Sequence, residues 1–318
     1  MKYYVGIDLG GTNIVAGVVN EAFEIIAKES AKTKAERGAD AVIADMIVTT
    51  KRAVEKAGLT MEQVEWAGVG SPGTANKATG KIEYSNNLQW YDVPLVAKLE
   101  EGLGVKVFIE NDANAAAYGE YLAGAGKGCT SLVAITLGTG VGGGVIMDGK
   151  ILTGSNFGGA ELGHTVIEVD GRPCTCGRLG CFEAYASATG LINLTKEAME
   201  AHKDSKMWEL CGGDISKANG RTSFDAMRAG DEAGKSVVDL YIKYLSVGIA
   251  NMINIFQPQI LCIGGGISKE GDTLIRPLTE LVNENNYIRD PEKRTKIIPA
   301  KLFNDAGLIG AAMLGLEA

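Results

Sequence analysis

The feature that most constrains this chain is a glycine-centred hairpin pattern that occurs twice. Val5-Gly6-Ile7-Asp8-Leu9-Gly10-Gly11-Thr12-Asn13 leads into an apolar run from Ile14 to Val19, which reads as strand, glycine turn, strand. The Gly10-Gly11 pair is free to take positive φ. Residues 132–147 repeat the design, with Asp8 aligned to Thr136, Gly10 to Gly138 and Thr12 to Gly140. Such a repeat predicts two similar domains, each opening with a hairpin whose glycine turn points at a shared cleft. A length of 318 residues also exceeds what one ordinary core holds.

Around the repeats, strand and helix patterns alternate. Ile43, Met46, Ile47 and Val54 share one face of a helix predicted over 40–57, and Leu95, Leu99 and Leu103 mark another, closed by Gly104. Strands are predicted at Trp66–Gly70, Val105–Ile109, Gln259–Ile263 and 296–300. Further helices are expected at 113–122, near 182–201, at 232–256 ahead of Pro258, at 273–285 and at 305–316. Alternation of this kind predicts an α/β protein with covered sheets. No linker marks a boundary, so a soft one is placed near residue 117. Residues 1–117 with about 303–318 form a smaller N-terminal domain, and 118–302 a larger C-terminal one.

Composition narrows the partners. Hydrophobic residues make up 46%, charged residues 22%, and the net charge is −8, so no basic surface suits a phosphate backbone and nucleic acid is not expected. No signal peptide is legible at the N-terminus and no apolar run long enough for a bilayer is evident, so no membrane partner and a cytoplasmic location are expected. Three of the six cysteines crowd into residues 174–181, which points to metal rather than to disulfides.

Each chemical motif has a plain alternative. Gly138-Thr139-Gly140-Val141-Gly142-Gly143 satisfies G-x-G-x-x-G, but a strand follows where the dinucleotide fingerprint needs a helix, and no Walker A lysine is present. The turns are either simple hairpins or phosphate cradles, with Asp8 placed to hold Mg²⁺ or its water. In Glu110-Asn111-Asp112-Ala113-Asn114, Asn111 or Asp112 either caps a helix or, at the carboxyl end of a strand, acts on a ligand. There a carboxylate can take the proton of an attacking hydroxyl. His164 with Cys174, Cys176 and Cys181 supplies the four ligands of a closed zinc site; the alternative is reduced cysteines. Glu161 and Glu183 flank these ligands, either as surface carboxylates or as contacts to sugar hydroxyls. His202 reads as a solvated helix residue.

Together, Asp8 through Thr12, Glu110 through Asn114, Leu137 through Gly140 and the His164–Glu183 segment resemble the ROK family of sugar kinases and sugar-responsive repressors, over essentially the whole chain. Ser71-Pro72-Gly73 and Asn87-Leu88-Gln89-Trp90 look most like its glucokinase branch. The resemblance implies the actin-like ATPase (ribonuclease H-like) fold, duplicated over two domains with a cleft between them. It implies ATP-dependent phosphorylation of the 6-hydroxyl of glucose, with ATP, Mg²⁺ and a structural Zn²⁺, and a homodimer. Asp112 falls on the catalytic base. Gly73, Asn111, Glu161, His164 and Glu183 fall on sugar contacts, with Asn86 or Asn87 as a further one. Asp8, Gly10, Gly11, Thr12, Asn13, Gly138 and Thr139 fall on the phosphate turns, and Gly265 near the nucleoside loop. His164, Cys174, Cys176 and Cys181 fall on the zinc ligands.

Rival readings are weighed against this one. A sugar-sensing repressor needs a helix-turn-helix ahead of the first hairpin, which here begins at residue 5, so that reading is not expected. A kinase for N-acetylmannosamine, fructose or allose differs by small pocket changes only. A dinucleotide-dependent oxidoreductase fails on the strand after the second glycine turn.

Overall fold

The computed structural model describes residues 1–317. Strands β1 (Tyr3–Leu9), β2 (Asn13–Asn20) and β3 (Ile25–Lys32) form an antiparallel run. Helix α1 (Ala39–Lys56) then leads to β4 (Val64–Ser71), which pairs in parallel with β1. A three-stranded antiparallel sheet, β5 (Thr74–Asn76), β6 (Lys81–Ser85) and β7 (Trp90–Val93), precedes α2 (Leu95–Leu103). Strand β8 (Val107–Asn111) pairs in parallel with β4 and runs directly into α3 (Asp112–Ala123).

The second half repeats the plan. Strands β9 (Ser131–Leu137), β10 (Val141–Met147) and β11 (Lys150–Ile151) are followed by helices α4 (Glu183–Ala186), α5 (Ala188–Ala201), α6 (Lys206–Leu210), α7 (Thr222–Arg228) and α8 (Glu232–Phe256). Strand β12 (Ile260–Gly265), helix α9 (Asp272–Asn285), strand β13 (Lys296–Pro299) and helix α10 (Ala306–Ala312) complete it. The sheet orders are β3-β2-β1-β4-β8 and β11-β10-β9-β12-β13, each reading third, second, first, fourth, fifth. Leu9 and Leu137 end the first strand of each sheet, and Asn13 and Val141 open the second, so turns 10–12 and 138–140 are equivalent.

By contacts the chain forms two compact units: residues 1–134, 144–160 and 301–318, and residues 135–143 and 161–300. Residue 117, where the soft boundary was expected, lies inside α3, and α3 stays whole in the first unit. In that unit Val42, Ile43, Met46 and Val54 of α1 and Leu95, Leu99 and Leu103 of α2 join the buried faces of β1, β2 and β4 in one core. Gly104 ends α2 at φ 72°, with its N–H on the Glu100 carbonyl.

Helix α10 packs on α3, β1 and β4 almost backbone to backbone. A Cβ at Gly6 would lie 2.0 Å from the Leu308 carbonyl oxygen, and one at Gly68 1.9 Å from that of Ala311. The α-helix expected over 305–316 stops at Ala312, and Trp66 Nε1–H donates to the Ala312 carbonyl at 2.9 Å.

In the second unit the helix expected near 182–201 is broken at Ser187, whose extended backbone lets its hydroxyl cap α5 through Gly190 N–H. His202 is exposed and sits just past the end of α5 rather than on it. Asp231 caps α8, and the helix ends at Gln257 in a left-handed conformation ahead of Pro258. By length and composition α8 is apolar enough to cross a bilayer, contrary to the expectation that no run was. Because 61% of that window is buried, core packing accounts for its apolarity.

Candidate active site

The first unit carries two carboxylates at the ends of β1 and β8, the strands on either side of β4. Asp8 lies near the end of β1, and Asp112 opens α3 immediately after β8. Helix capping falls to Asn111: its Oδ1 accepts the N–H groups of Ala113 at 2.9 Å and Asn114 at 3.2 Å, while its Nδ2–H donates to the Gly73 carbonyl at 3.2 Å. Asn111 is therefore the cap of α3. Asp112 Oδ1 also accepts Ala113 N–H, at 2.9 Å. Burial holds the Asp112 carboxyl above the usual carboxylate range. Asp8 is pushed up to about 6, first by burial and then by the charge of Asp112.

The first glycine turn is short and pinned. Gly10 N–H donates to the Asn13 carbonyl at 2.9 Å, Thr33 Oγ1–H to the Gly10 carbonyl at 2.7 Å, and Thr33 N–H to that of Thr12 at 3.0 Å. Neither Gly10 nor Gly11 takes the positive φ expected of the pair. What glycine provides is clearance, since a Cβ at Gly10 would lie 3.2 Å from the Asn13 carbonyl oxygen. Gly11 and Thr12 are exposed, and Asn13 accepts from Lys32 Nζ at 2.8 Å. Gly73 does adopt positive φ, 101°, and a Cβ there would strike the Tyr84 carbonyl oxygen at 2.1 Å.

In the second unit, the turn at Gly138 and Thr139 is held by the start of α5. Ala188 N–H donates to the Gly138 carbonyl at 2.8 Å and Thr189 Oγ1–H to that of Thr139 at 2.7 Å. Glu183 is tied to the same turn, its Oε2 accepting Val141 N–H at 2.9 Å and its Oε1 facing Thr175 Oγ1 at 3.3 Å. A Cβ at Gly140 would sit 2.3 Å from Glu183 Oε2, so glycine there makes room for the carboxylate. Gly265, at φ 87°, packs on the Leu137 backbone at the end of β12.

The ligand atoms of His164, Cys174, Cys176 and Cys181 all lie within 4.8 Å of one another. Cys174 Sγ is 3.6 Å from His164 Nδ1, and Cys176 Sγ is 3.6 Å from Cys181 Sγ. Tetrahedral zinc with Zn–S bonds of about 2.3 Å sets its ligands about 3.8 Å apart, so the donor set and its spacing fit the metal. Glu161 is exposed and directly precedes the turn Leu162–His164.

The model of the ROK family matches residues 4–318. The chain belongs to the ROK family. It is 40% identical to a glucokinase of Thermotoga maritima, covering 98% of this chain and 96% of that protein. It is 38% identical to a glucokinase of Halalkalibacterium halodurans, covering 98% and 94%. The structure of a ROK glucokinase from Streptomyces griseus, in complex with glucose and AMPPNP, is similar at TM-score 0.79 and 33% identity, covering 98% of each chain. The family's actin-like ATPase fold is the fold of this chain.

Several supports of the site escaped the sequence. Thr33, Ala188 and Thr189 hold the glycine turns from a distance along the chain and carry no local motif. Gly307 clears Asp8, because a Cβ there would lie 3.1 Å from Asp8 Oδ2. Its signal is its place among the small residues Ala306, Gly307, Gly310, Ala311 and Ala312.

Proposed function

We propose that this chain transfers the γ-phosphoryl group of ATP to the 6-hydroxyl of glucose. The observation that carries the reading is Asp112, a carboxylate at a strand end whose capping duty Asn111 has taken and whose affinity for a proton burial has raised. Such a group suits a general base. As the sugar oxygen bonds to the γ-phosphorus, the bond from phosphorus to the β,γ-bridging oxygen breaks. ADP departs, and the hydroxyl proton passes to Asp112.

In this reading Gly73, Asn111, Glu161, His164 and Glu183 are the sugar contacts. The backbone of Gly10–Asn13 and of Gly138 and Thr139 cradles phosphates, with Gly265 near the nucleoside. Mg²⁺ supplies charge neutralisation at the phosphates, and Asp8 is the residue that would hold it or its water. The glucose-and-AMPPNP complex of the Streptomyces griseus relative supports both substrates.

His164, Cys174, Cys176 and Cys181 would hold a structural zinc. His164 Nδ1 faces Cys174, so the other ring nitrogen remains for the sugar. Family membership and the exposed Leu240, Val247 and Ile255 along α8 support a homodimer, read out by sedimentation. The cytoplasm is the proposed compartment.

The test is ATP-dependent phosphorylation across glucose, mannose, fructose, allose, N-acetylglucosamine and N-acetylmannosamine, with zinc quantified in the same preparation. A large preference in kcat/KM for glucose, with about one zinc per chain, is expected. Preference for another sugar would overturn the substrate, and no turnover on any would overturn the kinase.

A further inference from the structure

Glu110, one residue ahead of the cap of α3, is 1% exposed. Burying an unpaired carboxylate costs several kcal/mol, so its partners are informative. Lys77 Nζ lies 2.5 Å from Oε2, while Asn111 N–H donates to Oε1 at 2.9 Å and Asn114 Nδ2–H at 3.1 Å. Lys77 Nζ is also 2.9 Å from Glu317 Oε2, and Glu317 Oε1 accepts Ile151 N–H at 2.7 Å. The two carboxylates more than offset the loss of hydration at Lys77 and hold its ammonium above the usual lysine range. One ion network thus joins the turn after β5, the β8–α3 junction, β11 and residue 317, and the chemistry proposed above gives Lys77, Glu110 and Glu317 no role.

The network grips the first turn of α3. Asn111 gives its N–H to Glu110 and its side-chain oxygen to the N–H groups of Ala113 and Asn114, and Asn114 returns its side-chain amide to Glu110. Asp112 sits inside this loop of bonds. We propose that Glu110, held by Lys77 and Glu317, is the positioning residue that fixes the direction of Asp112. The proposal rests on Asp112 being the base. Without Lys77 the buried Glu110 carboxylate is left without its countercharge, and the turn bearing Asp112 loosens. A displacement near 1 Å costs as much as about a hundredfold in rate.

A glutamine at 110 keeps an acceptor for Asn111 N–H while carrying no charge for Lys77 to balance, so a double-mutant cycle separates positioning from general damage. Lys77→Met is expected to lower kcat about tenfold and to leave the glucose KM within about twofold. Lys77→Arg keeps most of the activity, and Lys77→Met combined with Glu110→Gln recovers most of what the single change lost.

The proposal is overturned if folded Lys77→Met keeps kcat within about twofold of the unaltered chain. It is also overturned if KM rises as much as kcat falls, or if the double variant does no better than the single one. Should Lys77→Met not fold, Glu317→Gln, which weakens the outer side of the same lysine, is expected to lower kcat about threefold; an unchanged kcat overturns the idea. If the unaltered chain phosphorylates no sugar, the kinase reading fails by itself. Hydrogen exchange of the Ala113 and Asn114 amides then decides: faster exchange in Glu317→Gln supports the positioning network, and unchanged exchange overturns it.

Discussion

Asp112 and Asp8 differ in what their burial accomplishes. Burial at Asp112 raises proton affinity in a group that must accept a proton, so Asp112→Asn, which preserves shape but removes the base, should lower kcat by about a hundredfold or more. Glucose affinity should stay within a few-fold, and steady-state kinetics beside calorimetric binding would separate the two. Near-normal turnover would remove Asp112 from its role. At Asp8, the rise from 3.8 to about 6 means that the folded chain binds this proton more tightly than the unfolded chain does. Stability is therefore lost as pH climbs from about 4 to about 6, reaching about 3 kcal/mol at most above that window. Asp8→Asn removes the cost. Its melting temperature should exceed the unaltered chain's at pH 8, with the gap closing toward pH 4, while turnover is impaired at both. A gap that widens on acidification would reverse the sign and sink the account.

The segment from Glu161 to Glu183 has little regular structure of its own. Its backbone is held by the short turn Leu162–His164, by isolated bridges pairing Val166 with Cys181 and Pro173 with Leu179, and by cross-loop bonds such as those of Cys174 N–H to the Arg178 carbonyl, Gly180 N–H to that of Arg172 and Phe182 N–H to that of Thr165. The zinc proposed above, held by four donors spread from residue 164 to 181, would tie this segment together. Removing the metal with a chelator should therefore speed amide exchange across 161–183 and weaken glucose binding about tenfold or more, because second-order support of this kind is commonly worth that much. The turn at 10–12 should keep its exchange rate. Uniform loosening of the whole chain would instead make the metal a requirement for folding.

This loop was legible because cysteine spacing is a strong signal. The α1 and α2 faces and the repeated hairpin were legible for the same reason, that a local pattern carries them. Strand β3 alternates half-buried and exposed residues along its whole length, yet Ile26 at an exposed position and Glu29 at a half-buried one mask that period. The pinning of the glycine turns by Thr33 and Thr189 was not legible, because those bonds join residues that only the fold brings together.

For the molecule as a whole, neither compact unit is a continuous stretch of chain, and the final segment is the clearest consequence. Residues 301–318 return to the first unit, where Leu308, Ile309, Met313 and Leu314 are buried and α10 seats on Gly6 and Gly68 without room for a side chain. The joint is further locked by Glu120, whose buried carboxylate accepts the N–H groups of Ala125, Lys301 and Leu302. Each large apolar side chain so buried contributes about 1.5–3 kcal/mol, and a typical domain has only about 5–15 kcal/mol of net stability. A chain ended at residue 300 should therefore lose the cooperative melting of its first unit, expose apolar surface to a dye such as ANS, and bind no nucleotide. Glu120→Gln, which keeps the shape but weakens three charge-assisted bonds, should lower the melting temperature by several degrees, since about 1 kcal/mol moves a chain of this size by about 2–4 °C. If the shortened chain melted as sharply and as high as the full one, α10 would be an ornament on the first unit rather than part of its core.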